Sequence, residues 1–139
     1  MLSKNEISEF LETEFPQTKC QVESASKGQA IVRHPVGVDE LRPGGTVSGP
    51  VMMSVADVAM YVAILASLGL VKETVTTSLT INFLRKPKGD RDILADCKIL
   101  KLGKTLAVAE VSLFSEGDAD AVAHVVGTYA IPRENTINK

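Results

Sequence analysis

Hydrophobic and polar residues alternate with a period of two over most of the second half of this chain. Val75, Thr77, Leu79, Ile81 and Phe83 fall on one face of an extended segment, with Thr76, Ser78, Thr80 and Asn82 on the other. A polar stretch over residues 86–91 turns the chain, and Ile93, Ala95, Cys97 and Ile99 then define the inward face of a second strand. Leu102-Gly103-Lys104 turns it again. Ala107, Ala109, Val111 and Leu113 continue that face, and a last strand over residues 121–131 follows Ser115-Glu116-Gly117-Asp118. Such alternation marks strands with one face in a core and one in water. Tight polar turns between them predict an antiparallel meander.

The first half reads differently. Residues 3–14 predict a short helix, because Ser3 and Glu6 have the capping-box spacing and Ile7, Phe10 and Leu11 share one stripe. Pro16 ends it. Two short extended segments, near 18–25 and 29–36, are separated by Lys27-Gly28. Next comes a loop over residues 37–49 holding Pro43, Gly44, Gly45 and Gly49, and loops of this length in compact domains are often functional. From Pro50 to Leu68 apolar residues surround a helix instead of forming a stripe, which predicts burial on most sides. Pro50 suits its first turn and Gly69 its C-terminal cap. A membrane span is disfavoured, because Asp57 lies inside the segment and no neighbouring segment would help it insert.

Two strands, one helix apolar all round and four strands give an α+β layout. A helix of that kind is buried only if the sheet curls around it. One sheet face covers part of its circumference, so a second copy of the chain is expected to cover the rest. That predicts a homo-oligomer, either a dimer or a dimer of dimers. The length of 139 residues suits one domain over 1–139.

Composition narrows the function classes. With 45% hydrophobic residues the chain can build a core, and disorder is excluded. A net charge of −2 gives no electrostatic reason to expect a nucleic-acid partner. Cys20 and Cys97 lie far apart without metal-ligand spacing and read as buried or free thiols. His34 and His124 have no acid or cysteine at motif spacing, so no metal site is expected. No nucleophile elbow, phosphate-binding Gly-Lys loop or dinucleotide fingerprint is present, and no cofactor is expected. Residues 1–15 carry Glu6, Glu9, Glu12 and Glu14 and no apolar signal-peptide run, so the expected location is the cytoplasm.

Asp57 is the leading candidate for chemistry. A carboxylate is costly to remove from water unless it is paired or used, and no Lys, Arg or His lies within a helical turn of it. Ser54 and Tyr61 lie near the same helical face by i±3 and i±4 spacing. Thr77 is the polar residue on an otherwise apolar strand face, where its hydroxyl could hold the carboxylate or a water. Gly49 precedes Pro50, which lacks an N–H, so the Gly49 N–H is the donor available to an oxyanion at the helix start. Arg85, Lys86, Lys88 and Arg91 cluster in the turn at 86–91 and its approach. They read either as a solvated turn paired with Asp90 and Asp92 or as a patch for phosphates.

Taken together, Gly44-Gly45-Thr46-Val47-Ser48-Gly49-Pro50, Ala56-Asp57, Val75-Thr76-Thr77, Ile81-Asn82-Phe83-Leu84-Arg85 and Gly127-Thr128-Tyr129 resemble the hot-dog thioesterases of the phenylacetic-acid-degradation (PaaI-like) type. The resemblance covers residues 30–132. It implies a hot-dog fold, a curved antiparallel sheet wrapped around the long helix at 50–68, with active sites at a dimer interface. It further implies hydrolysis of an acyl-CoA to free acid and CoA. In that family's terms Asp57 matches the general base or nucleophile, Thr77 the orienting hydroxyl, and Gly49 the donor to the thioester carbonyl. Arg42 falls where some members place an Asn, a poor match. Many members read His-Gly-Gly where this chain has Ser48-Gly49-Pro50, so the histidine's contact to the carbonyl is replaced by the Ser48 hydroxyl or lost. The alternative to hydrolysis is a protein that binds acyl-CoA in the same pocket without turning it over.

Overall fold

The computed structural model describes residues 2–69 and 73–132. Helix α1 (Lys4–Glu14) starts at Ser3, whose side chain accepts from the Glu6 N–H while Glu6 accepts from the Ser3 N–H, closing the predicted capping box. Strands β1 (Gln21–Ser26) and β2 (Gln29–His34) form a hairpin. A 3-10 turn (Val38–Glu40) and a two-strand ribbon, β3 (Leu41–Arg42) with β4 (Thr46–Val47), follow. The ribbon lies within the stretch expected as a plain loop. Helix α2 (Gly49–Leu68) comes next, then β5 (Val75–Phe83), β6 (Ile93–Leu102), β7 (Leu106–Ser115) and β8 (Ala123–Ala130).

Six of these strands make one antiparallel sheet in the order β1-β2-β6-β7-β8-β5. The inward face is the one the alternation predicted over β6 and β7. Ile93, Ala95 and Cys97 and then Ala107, Ala109, Val111 and Leu113 are buried, with Ala123, Val125 and Tyr129 continuing it on β8. Alanines recur on this face, and their short side chains let α2 lie close to the sheet. Val55, Ala59, Val62, Ile64, Leu65 and Ala66 of the helix fill the space between. Gly69 ends α2 at φ 98°, a conformation that glycine adopts without a steric cost, and its N–H bonds the Leu65 carbonyl at 2.9 Å. The helix has the length and apolarity of a membrane span, yet most of it is buried inside the fold.

The two edges of the sheet differ. Helix α1 packs over β1, whereas β5 carries its outer row of backbone groups beside exposed Val75, Phe83 and Leu84.

Glu40 fixes the loop that leads into α2. It is only 4% exposed and accepts from Gly37 N–H at 2.7 Å, His34 at 3.0 Å and Lys19 at 3.0 Å, while its own carbonyl accepts from Ser48 N–H at 2.9 Å. Burial opposes its ionisation, but the hydrogen bonds from Gly37, His34 and Lys19 outweigh this and hold its carboxyl at about 2, against an ordinary 4.5. A carboxyl depressed on folding stabilises above its unfolded pKa, and that stability is lost as pH falls toward the folded value. The fall corresponds to about 3 kcal/mol. Thermal melts between pH 6 and pH 2 should therefore show the wild type losing markedly more stability than Glu40→Gln. Parallel melting curves would refute this role for Glu40.

Candidate active site

Most of α2 is enclosed, but one stripe stays open. Pro50, Met53 and Ser54 are exposed, and Val51, Asp57 and Tyr61 are half-buried. These positions recur every three or four residues, so they share one side of the helix. Asp57 sits in the middle of that stripe, on a wetter face than the composition of the helix suggested. Aliphatic side chains still flank it along the chain.

Two hydroxyls converge on its side chain. Thr76 Oγ1 donates to Asp57 Oδ1 at 2.7 Å, and the Tyr129 hydroxyl lies 2.5 Å from Oδ1 and 2.7 Å from the Asp57 carbonyl oxygen. A phenol has one proton to give, and the charged oxygen is the stronger acceptor. Burial, followed by the Asp57 charge, pushes the Tyr129 phenol well above its ordinary pKa, so it remains a donor. Among the described residues both side-chain hydrogen bonds of Asp57 go to Oδ1. That leaves Oδ2 as the oxygen able to take a proton from a water.

The hydroxyl expected here was that of Thr77. Strand β5 pairs Thr76 with Tyr129 and Ser78 with Thr128, so Thr77 is the extra residue of a bulge. The bulge brings Thr76 to the carboxylate, and Thr77 Oγ1 donates instead to the Thr128 carbonyl at 3.2 Å. A strict two-residue period cannot register an inserted residue. Tyr129 was present in the sequence only as part of the late Gly-Thr-Tyr run. Its signal was the inward period of β8, because a buried phenol needs an acceptor.

The start of α2 is built as expected for Gly49 and differently for Ser48. Ser48 is the N-cap, with its Oγ 3.4 Å from the Val51 N–H, so that hydroxyl is engaged with the helix. Met52 N–H bonds the Ser48 carbonyl, and Pro50 has no N–H. The Gly49 N–H thus has no acceptor within the helix and points out of its end. A Cβ on Gly49 would stand 3.1 Å from Phe83 Cζ, so the ring of Phe83 lies against this helix start.

The other candidates are more dispersed. Tyr61 packs its ring against Phe10 of α1 at 6.4 Å, and Ser54 is exposed on the open stripe. Arg42 is exposed on β3. In the basic turn Lys88 pairs with Asp118 at 3.2 Å and Arg85 with Asp120 at 3.6 Å, while Lys86 is exposed. Their partners come from the turn before β8 and are not Asp90 and Asp92; Asp92 belongs to Arg33. Both histidines have acid partners that spacing did not reveal, His34 with Glu40 and His124 with Glu110 at 3.1 Å. Each pair is made through space between separate elements or strands.

A six-stranded antiparallel sheet packed on one long helix, with a hydroxyl-held carboxylate on the helix's open side, is a hot-dog arrangement. The thioesterase superfamily profile matches residues 44–122. An esterase candidate of Saccharolobus solfataricus is 32% identical over 136 residues, covering 96% of this chain and 89% of its own. The crystal structure of a thioesterase candidate from Silicibacter sp. is 43% identical, with a TM-score of 0.86 over 95% of this chain and 93% of that one. Escherichia coli PaaI, 22% identical, shares the fold with a TM-score of 0.74 over 91% and 92% of the two chains. The chain belongs to the thioesterase superfamily, and it is a hydrolase with the hot-dog fold.

Proposed function

We propose that this protein hydrolyses an acyl-CoA to the free acid and CoA, with Asp57 activating the attacking water. The observation that carries this reading is the carboxylate on the open stripe, held through one oxygen by Thr76 and Tyr129 and, among the described residues, unbonded at the other. Two fixed donors orient the group and spare the reaction that reorganisation. Oδ2 takes the proton of a water that attacks the thioester carbon, and a backbone N–H at a helix end holds the developing oxyanion. Attack by Asp57 itself on the carbonyl is the variant of this chemistry that single-turnover labelling in heavy-oxygen water separates. Arg85, Lys86 and Lys88 are the cations within the chain suited to CoA phosphates, with Lys86 the least engaged.

One subunit does not complete this site. Gly49 and Asp57 belong to the same helix, and at its rise per residue they stand about 12 Å apart along the axis. A base, a water and a carbonyl in contact span roughly 6–8 Å. The Gly49 N–H that serves a given Asp57 therefore comes from a second copy of the chain. The free β5 edge, with Phe83 52% exposed beside the helix start and Val75 57% exposed at the other end of the strand, is the surface suited to that pairing. We take the working unit to be a homodimer or a dimer of dimers acting in the cytoplasm, and sedimentation of the purified chain tests its size.

Binding without turnover is the second reading. It gains weight because Ser48 stands where many members of the family it resembles have a histidine; its Oγ accepts from the Val51 N–H in the helix cap, and only its own O–H proton is left to offer a carbonyl. A panel of short, medium, long and aromatic acyl-CoAs, followed by thiol release, decides between the two. Tight binding across the panel with no thiol released would remove hydrolysis. Within the same assay Thr76→Val should lower kcat about tenfold, the loss expected for one hydrogen bond to a charged group. Thr77→Val should stay within about twofold. Equal effects of the two substitutions would contradict the role of the bulge.

A further inference from the structure

Far along the sheet from Asp57, at the β1 end, three side chains form a second constellation. Cys20 Sγ lies 3.6 Å from His34 Nδ1, and His34 Nε2 lies 3.0 Å from Glu40 Oε2. Glu40 is buried and ionised, as its hydrogen bonds require, so it can only accept. It therefore places the imidazole proton on Nε2. The lone pair of Nδ1 then faces the thiol. A base aimed at a nucleophile and oriented by a third group is the arrangement that activates weak nucleophiles.

The thiol also lines a space. A cleft of about 290 Å³ between α1 and the start of β1 is walled by Leu11, Phe15, Pro16 and Val22, and Cys20 forms part of its lining. Ser8, Glu12, Thr18 and Gln21 complete the lining, so the cleft sets an apolar wall, able to take a short acyl chain, opposite a polar side. Cys97 offers the contrast. It is fully buried, and burial pushes its thiol up to about 12, which makes it inert. Burial also raises the Cys20 thiol, with Thr18 opposing, so the resting sulfur is protonated and needs a base at the moment of attack.

We propose that Cys20, His34 and Glu40 form a second nucleophilic site, at which Cys20 accepts an acyl group from a thioester whose chain lies in the α1–β1 cleft. The Sγ–H bond breaks and its proton passes to His34 Nδ1. Sγ bonds the acyl carbon, the carbon–sulfur bond to the departing thiol breaks, and His34 returns the proton to that thiolate. One thioester replaces another, so no oxidant or external driving force is required. Cys20 and His34 touch the reacting atoms, and Glu40 is a positioning residue. The site shares only its substrate class with the proposed function and does not use Asp57.

The S-hexanoyl thioester of N-acetylcysteamine is a suitable probe because it needs no nucleotide-binding surface. Peptide mass spectrometry of the full chain in its Asp57→Asn form should find a hexanoyl group on Cys20, released by neutral hydroxylamine, with Cys97 unlabelled. Removing the base in His34→Asn should slow labelling about a hundredfold, within the usual range for general-base assistance. Glu40→Gln would present an amide N–H to Nε2 and move the imidazole proton to Nδ1. The nitrogen chemical shifts of His34 should report that change of tautomer, and labelling should fall with it. The urea-unfolded wild type sets a baseline that does not depend on any variant folding. Folded Cys20 reacting no faster than that baseline, or equally fast in His34→Asn, would overturn the proposal. Either result leaves thiol release by the Asp57 site untouched, so the two readings fail separately.

Discussion

Asp57→Asn is expected to reduce kcat for acyl-CoA hydrolysis by about 10²–10⁴, the range that a positioned general base supplies. The substitution isolates charge and basicity. Asparagine keeps the shape of the side chain, and its carbonyl oxygen can still accept from Thr76 and Tyr129, so the melting temperature should barely move. Thiol release in the steady state measures the effect. A variant with full turnover would remove Asp57 from the mechanism.

The composite site makes a further consequence measurable in the same experiment. Gly49→Pro removes the helix-end N–H, the Phe83 ring having to yield to the added atoms, and it should also be inactive while a melting curve confirms that it folds. Mixing Asp57→Asn with Gly49→Pro under conditions of subunit exchange creates dimers with one site holding both an intact carboxylate and an intact N–H. Activity should return in the mixture. If both groups served one carbonyl from a single subunit, mixing would restore nothing.

The architecture was legible because it depends on repetition. The inward positions of β6 and β7 follow a strict alternation, and α2 is apolar at nearly every position between a proline and a glycine. Asp57 stood out for the same reason, as one charge in such a helix. Contacts between elements were legible only where the repeat held. The bulge at Thr77 adds one residue to β5, and from that point the period assigns the wrong hydroxyl. His34 and Glu40 are separated by a turn whose course no periodicity describes, so their pairing and the approach of Cys20 were hidden. The partners of Lys88 and Arg85 were misassigned for a related reason. Neighbouring acids in sequence were preferred over acids delivered by the adjacent turn. The open stripe on α2 escaped because residues at the start of the helix are apolar yet exposed, as Met53 is at 39%. In sequence, an apolar residue that the fold leaves open looks the same as one facing the core.

Gly127→Ala should cost about 2 kcal/mol of stability, a typical penalty for adding a methyl group to a filled core. Gly127 lies on the inward face of β8, where an added Cβ would stand 2.7 Å from Met60 Sδ and 2.8 Å from Met60 Cε. Met60 is fully buried, so its thioether end must be forced against its packed neighbours or the helix and strand must separate. The consequence reaches the site. Met60 is on the helix one turn beyond Asp57, and Tyr129 is two residues along the same face of β8. The missing side chain at 127 is therefore what allows β8 to come near enough for the Tyr129 hydroxyl to reach the carboxylate. Urea denaturation of Gly127→Ala, Met60→Ala and the double variant gives the coupling between the two positions. Truncating Met60 removes the obstructing atoms, so Gly127→Ala should cost at least 1 kcal/mol less in that background than in the wild type. The hydrolysis rate of Gly127→Ala should fall as well, because the gap opens between Tyr129 and Asp57. Additive stabilities would show that the strand and helix do not meet at this point. A destabilised variant with full kcat would instead detach the close packing from the positioning of the carboxylate.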